Sequence, residues 1–86
     1  MSDALKLIPG RKYKVVKSFT DFDHVEHPPG ELWTFVKTDF LPYEDGLTVF
    51  VIPENTVMEI SFRLQWRVDQ QAECINHFKD FVEGIG

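Results

Sequence analysis

Residues 57–66 read Val57-Met58-Glu59-Ile60-Ser61-Phe62-Arg63-Leu64-Gln65-Trp66, an alternation of apolar and polar side chains. Extended backbone turns successive side chains to opposite faces. Met58, Ile60, Phe62, Leu64 and Trp66 then share one face, and Glu59, Ser61, Arg63 and Gln65 the other. A helix would scatter the same apolar residues around its circumference. The stretch reads as a half-buried strand, and the rest of the chain has to cover its apolar face.

Upstream, Pro53-Glu54-Asn55-Thr56 is a connecting turn, and Leu47-Thr48-Val49-Phe50-Val51-Ile52 is a strand rich in β-branched residues. Asp45-Gly46 is a tight-turn pair, and Pro42 before it marks a strand end or an edge. Leu32-Trp33-Thr34-Phe35-Val36-Lys37-Thr38 is another strand, apolar on both faces at its start. Residues 12–19 form the first strand, with Tyr13, Val15 and Phe19 inward; Lys17 falls on the inner parity, which calls for a snorkelling stem or a bulge. Between these two strands, Thr20 to Glu31 is a long loop broken by Asp21, Asp23, Pro28, Pro29 and Gly30.

Downstream the period changes. Ile75, Phe78, Val82 and Ile85 follow the spacing of one helical face, with Cys74 and Phe81 beside it. Asp69 suits the N-cap and Gly84 the C′ position. The expected fold is α+β: a four-stranded antiparallel meander curled into a partial SH3-like barrel, capped by a C-terminal amphipathic helix. A plain four-stranded sheet with one helix across it is the competing architecture.

At 86 residues the chain makes one domain, residues 1–86. Its one cysteine, Cys74, excludes an internal disulfide, and a reducing cytoplasm is the expected compartment. The first residues show no signal-peptide pattern, and no apolar run approaches a membrane span. The formal net charge of −5 disfavours nucleic-acid binding, although Arg11, Lys12, Lys14 and Lys17 with Tyr13 make a small basic stripe.

The segments Lys12-Tyr13-Lys14-Val15, Phe19-Thr20-Asp21-Phe22-Asp23, Gly30-Glu31-Leu32-Trp33-Thr34-Phe35, Phe40-Leu41-Pro42-Tyr43-Glu44-Asp45-Gly46 and Leu64-Gln65-Trp66 resemble a small, mostly bacterial family catalogued as a domain of unknown function. The resemblance covers nearly the whole chain. It implies the domain boundaries and no catalytic residue, cofactor or partner.

Three side-chain sets point to chemistry. Asp21, Asp23, His24 and His27 fall in one loop and carry metal-ligating groups, yet their spacing matches neither a zinc pattern nor a calcium loop. The plainer reading is a solvated loop whose Asp residues make local turn hydrogen bonds. Phe22, Trp33, Phe40 and Tyr43 accompany Asp21, Asp23, Glu31, Glu44 and Asp45, a combination that can hold an extended basic peptide. Trp33 weighs toward core. Cys74 stands three positions before His77, but bordering an apolar stripe it suits a buried structural thiol better than a nucleophile. No glycine-rich phosphate cradle, nucleophile elbow or His-Glu-x-x-His motif occurs. The expected function is a non-catalytic binding or accessory module without a cofactor. Its protein partner would meet Phe22, Tyr43, Asp21, Asp23, Glu44 and Asp45. The alternative is a small metal- or ligand-binding protein that uses the Asp21–His27 loop. An unpaired sheet edge leaves both a monomer and a weak homodimer open.

Overall fold

The computed structural model describes residues 5–41 and 46–85. The elements run β1 (Lys12–Val15), β2 (Phe19–Thr20), β3 (Glu26–His27), β4 (Leu32–Leu41), β5 (Gly46–Pro53), β6 (Ile60–Gln65), α1 (Asp69–Asn76), a 3-10 turn (Phe78–Asp80) and β7 (Val82–Ile85). Five strands form one antiparallel sheet in the order β6-β5-β4-β1-β7, and β2 pairs with β3 in a separate hairpin.

This corrects the expected fold. The principal sheet has a fifth strand, a second small sheet is present, and no closed barrel forms among the described residues. The chain is mostly sheet, and its helix does not end it. The stripe expected to form one long helix is shared by three elements. The α-helix stops at Asn76, where the His77 amide bonds Glu73 C=O at 3.0 Å and His77 takes φ −129°. The 3-10 turn then reverses the chain, closed by Asp80 N–H to His77 C=O at 2.8 Å and Phe81 N–H to Phe78 C=O at 2.9 Å. Val82–Ile85 pairs with β1, Val15 opposite Val82 and Tyr13 opposite Gly84. The β1 edge is thereby covered instead of being left with unpaired backbone groups. The Arg11 side chain lies across Gly84, 2.7 Å from where a β-carbon would stand. Asp69 is the first helical residue and Val68 occupies the N-cap, so the Asp69 charge belongs to the first turn, at the positive end of the helix, without making a capping hydrogen bond.

One face of the large sheet carries the core. Tyr13, Val15, Trp33, Phe35, Leu47, Val49, Val51, Phe62 and Leu64 are buried there. The β2–β3 hairpin, α1 and the 3-10 turn cover them with Phe19, Cys74, Ile75 and Phe78. Aromatic edges and faces do much of the joining: Phe19 meets Phe62 at 5.8 Å and Phe78 at 5.4 Å, and Trp33 meets Phe62 at 6.3 Å. Leu32, Thr34, Val36, Phe50 and Ile52, on the opposite face, are half-buried by one another. A bulge between Phe35 and Lys37 flips the parity of β4. Beyond it Thr38 and Phe40 lie opposite the buried Val49 and Leu47, and the half-exposed Phe40 ring meets the edge of Trp66 at 5.5 Å.

The first expected strand is broken in two. β1 ends at Val15, Phe19 starts the hairpin, and Lys17 leaves the inner parity to lie over the Phe81 ring at 4.7 Å. The 57–66 alternation holds for part of its length. Phe62 and Leu64 are 4% and 0% exposed, whereas Met58 precedes the strand and is 73% exposed, because no element among the described residues covers the sheet face at that end. Among the described residues no helix is long and apolar enough to cross a membrane.

That division sets the energetics of the strand. Leu64→Ala is expected to cost about 2–5 kcal/mol of unfolding free energy. Met58→Ala should stay within about 0.5 kcal/mol of the parent. Urea denaturation of the two variants side by side checks the contrast.

Candidate functional site

The loop between β2 and β3 is built around Asp21. Its Oδ1 accepts from the amides of Asp23 at 2.9 Å and Val25 at 3.1 Å, while its own amide donates to Val25 C=O at 3.0 Å. A short carboxylate hydrogen-bonding its own downstream amides is a common way to close a turn. His24 sits at the tip with φ 66°. The other Asp21 oxygen, Oδ2, meets His27 Nε2 at 2.9 Å.

The imidazole has a second carboxylate. Pro28-Pro29-Gly30 turns the chain, Gly30 taking φ 97°, and delivers Glu31 to the far side of the ring. Glu31 Oε1 lies 2.7 Å from His27 Nδ1 and accepts from Trp33 Nε1 at 3.1 Å. Phe19 stacks on the imidazole at 4.6 Å and Phe62 tilts against it at 4.5 Å. The side chains of His27 and Asp21 are 8% and 3% exposed. Each ring nitrogen of His27 thus faces one carboxylate oxygen, Asp21 on one side and Glu31 on the other. No buried side-chain polar atom among the described residues lacks a partner.

These distances correct the role expected of Asp21. It is an internal residue that shapes the loop, not part of an exposed acidic surface. Trp33 is likewise core, at 2% exposure. The loop does not gather its metal-ligating groups: Asp21 and His27 bond each other, Asp23 turns to Arg63, and among the described residues no group of three or more such side chains could hold an ion. Tyr43, Glu44 and Asp45 lie outside the described residues.

On the outside of the loop, Phe22 and Asp23 meet β6. Phe22 N–H donates to Arg63 C=O at 2.8 Å, and the Arg63 guanidinium lies over the Phe22 ring at 5.4 Å. Arg63 Nη2 donates to Asp23 Oδ1 at 2.5 Å and Nε to Oδ2 at 3.3 Å. That two-pronged bond holds the Asp23 carboxyl below the ordinary carboxylate range. Phe22 stays 39% exposed and forms one wall of a shallow cleft of about 200 Å3, whose other side includes Thr48, Gln65 and Arg67.

Arg63 is the residue that sequence reasoning missed. Its outward register on the 57–66 strand was visible, but its partner lies 40 positions away. Glu31 was noted as one acid among several; the signal for its pairing was the Pro-Pro-Gly turn that folds it back on His27.

Cys74 is 2% exposed, and burial pushes its thiol up to about 12. A neutral, enclosed thiol is not a nucleophile.

Two expectations follow from these environments. His27→Ala removes one partner from each of two carboxylates and empties the space between Phe19 and Phe62, and should cost about 3–5 kcal/mol. His27→Gln, which keeps a donor toward one of them, should recover part of that loss in the same urea experiment. The folded state retains the Cys74 proton up to about pH 12, whereas an unfolded thiol releases it near pH ~8.5. Its contribution is therefore complete below the unfolded value and falls as pH rises toward the folded one. Unfolding-curve midpoints should drop more steeply with alkaline pH in the parent than in Cys74→Ala. Thiol labelling of the native chain should be at least about a hundredfold slower than in denaturant.

A solved integron cassette protein from the mobile metagenome of Vibrio cholerae has a similar fold, with a TM-score of 0.87 and 29% sequence identity over 99% of this chain and 92% of that one. A comparison with curated proteins returns no match. The family described as a domain of unknown function (DUF3601) matches residues 4–86, and this chain belongs to that family.

Proposed function

We propose that this chain is a non-catalytic binding module that receives a protein segment on the surface around Phe22 and Asp23. The observation that carries this reading is the way Phe22 is presented. Its amide is fixed to β6, Arg63 packs on one face of the ring, and the ring remains partly exposed beside the cleft. An aromatic side chain held in advance loses little conformational freedom when a partner covers it.

The disposition of the ionisable groups supports the same reading. The imidazole–carboxylate set formed by Asp21, His27 and Glu31 is spent on internal contacts, and its histidine is closed off from any substrate. The net charge of −5 draws a basic partner from a distance. It also opposes nucleic acid, and of the basic stripe Lys12 is already paired with Glu54. Close to Phe22, however, Asp23 shares its charge with Arg63, so contact there rests on the ring and steering on the molecule as a whole.

Selection from a displayed library of random extended peptides against the immobilised chain tests this proposal. Enriched peptides should be basic, should bind less tightly as salt rises, and should lose at least about tenfold in affinity to Phe22→Ala. Enrichment of acidic peptides, or binding untouched by Phe22→Ala in a variant of parental circular dichroism, would overturn it.

A further inference from the structure

The outer edge of β6 is closed over half its length and open over the other half. Arg63 C=O accepts from the Phe22 amide at 2.8 Å, and Gln65 N–H donates to Gln71 Oε1 at 2.9 Å. Both partners lie off β5, so residues 63 and 65 turn their backbone groups away from the sheet. Backbone direction repeats every second residue along a strand. Ser61 therefore points its N–H and C=O outward, as does Glu59 once the strand extends by one residue. Among the described residues no loop or side chain covers that part of the edge. Beside it stand Val57, Met58 and Ile60, exposed by 94%, 73% and 49%. Soluble proteins normally blunt a bare edge with charge, proline or a covering element; here a bare edge and large apolar side chains coincide.

We propose that this open half of β6 pairs antiparallel with the same strand of a second copy of the chain, about a two-fold axis beside Ile60. The sequence favours self-pairing in one register. Outward-facing residues must oppose outward-facing residues, which leaves three choices of centre. A centre on Glu59 sets two carboxylates directly opposite each other. A centre on Ser61 needs the backbone groups of Arg63, and the loop carrying Phe22 already occupies that place. A centre on Ile60 has neither fault. Glu59 then faces the second copy's Ser61 and has the second copy's Arg63 on one diagonal and its Glu59 on the other, farther apart than in direct opposition. Met58 comes to lie opposite the second copy's Phe62. The two Ile60 side chains meet in a position without direct hydrogen bonds, where opposed residues approach most closely. The two sheets would continue as one, their exposed apolar ends covering each other.

Sedimentation velocity of the full chain over a range of concentrations should show a reversible dimer. Ile60→Lys, which sets two like charges at the axis, should weaken it at least about tenfold while leaving the far-ultraviolet circular dichroism unchanged. The register has its own test, because residues opposed at such short spacing fit a disulfide. Under mild oxidation Ile60→Cys should cross-link rapidly and Met58→Cys slowly, with the native Cys74 too buried to interfere. A chain that stays monomeric at its highest soluble concentration would overturn the proposal. So would a dimer indifferent to Ile60→Lys, or equal cross-linking of the two cysteine variants.

Discussion

His27, held between two carboxylates and two aromatic rings, is the contact on which the arrangement of this chain depends. Through Asp21 it fixes the β2–β3 loop, and through Glu31 it fixes the start of β4. The backbone beside it is tied just as closely: Val15 N–H donates to Glu31 C=O and Gly30 N–H to Val15 C=O, each at 2.8 Å. The loop shaped by Asp21 reaches β6 through the Phe22 amide. Elements far apart in sequence are thus brought together at one buried polar knot, and the core rings Phe19 and Phe62 close over it.

Burying such a group is costly unless every charge is answered. Removing a carboxylate and an imidazole from water costs several kcal/mol each, roughly offset by their mutual attraction when the geometry is good. Net stabilisation is therefore a poor explanation for the knot. What it supplies is definition. An apolar residue in place of Asp21 could fill the volume, but the amides of Asp23 and Val25 would lose their acceptor and the loop its shape. Glu31, less enclosed, keeps one side toward solvent, which eases its own desolvation.

The legible part of the fold was the part governed by period two. Phe62 and Leu64, and the β-branched run through Val49 and Val51, go inward as their alternation requires. The C-terminus was misread because four residues of strand after a helical turn cannot be told from one more helical turn by apolar spacing alone. Val82 and Ile85 are three apart in either structure. The Phe35/Lys37 bulge was hidden as well, since an extra residue in one strand is defined only by its partner. At the site, the cluster of Asp and His residues was visible as a cluster, and its chemistry was not. Whether two carboxylates and an imidazole await a ligand or satisfy each other turns on distances of about 3 Å set by the whole fold.

The two ends of β6 follow from the same cause. Where the hairpin is locked down by Asp21 and His27, its loop lies against the strand, Phe22 covers the backbone of Arg63, and Gln71 from α1 covers that of Gln65. The hairpin and helix extend no further along the strand, so Ile60 and Met58 emerge from the covered face, and among the described residues nothing pairs with the edge there. A covering layer shorter than the sheet it packs on leaves apolar side chains of that face in water at the uncovered end. The Asp21–His27 contact shapes the loop that lies against β6, and with it the way Phe22 is presented.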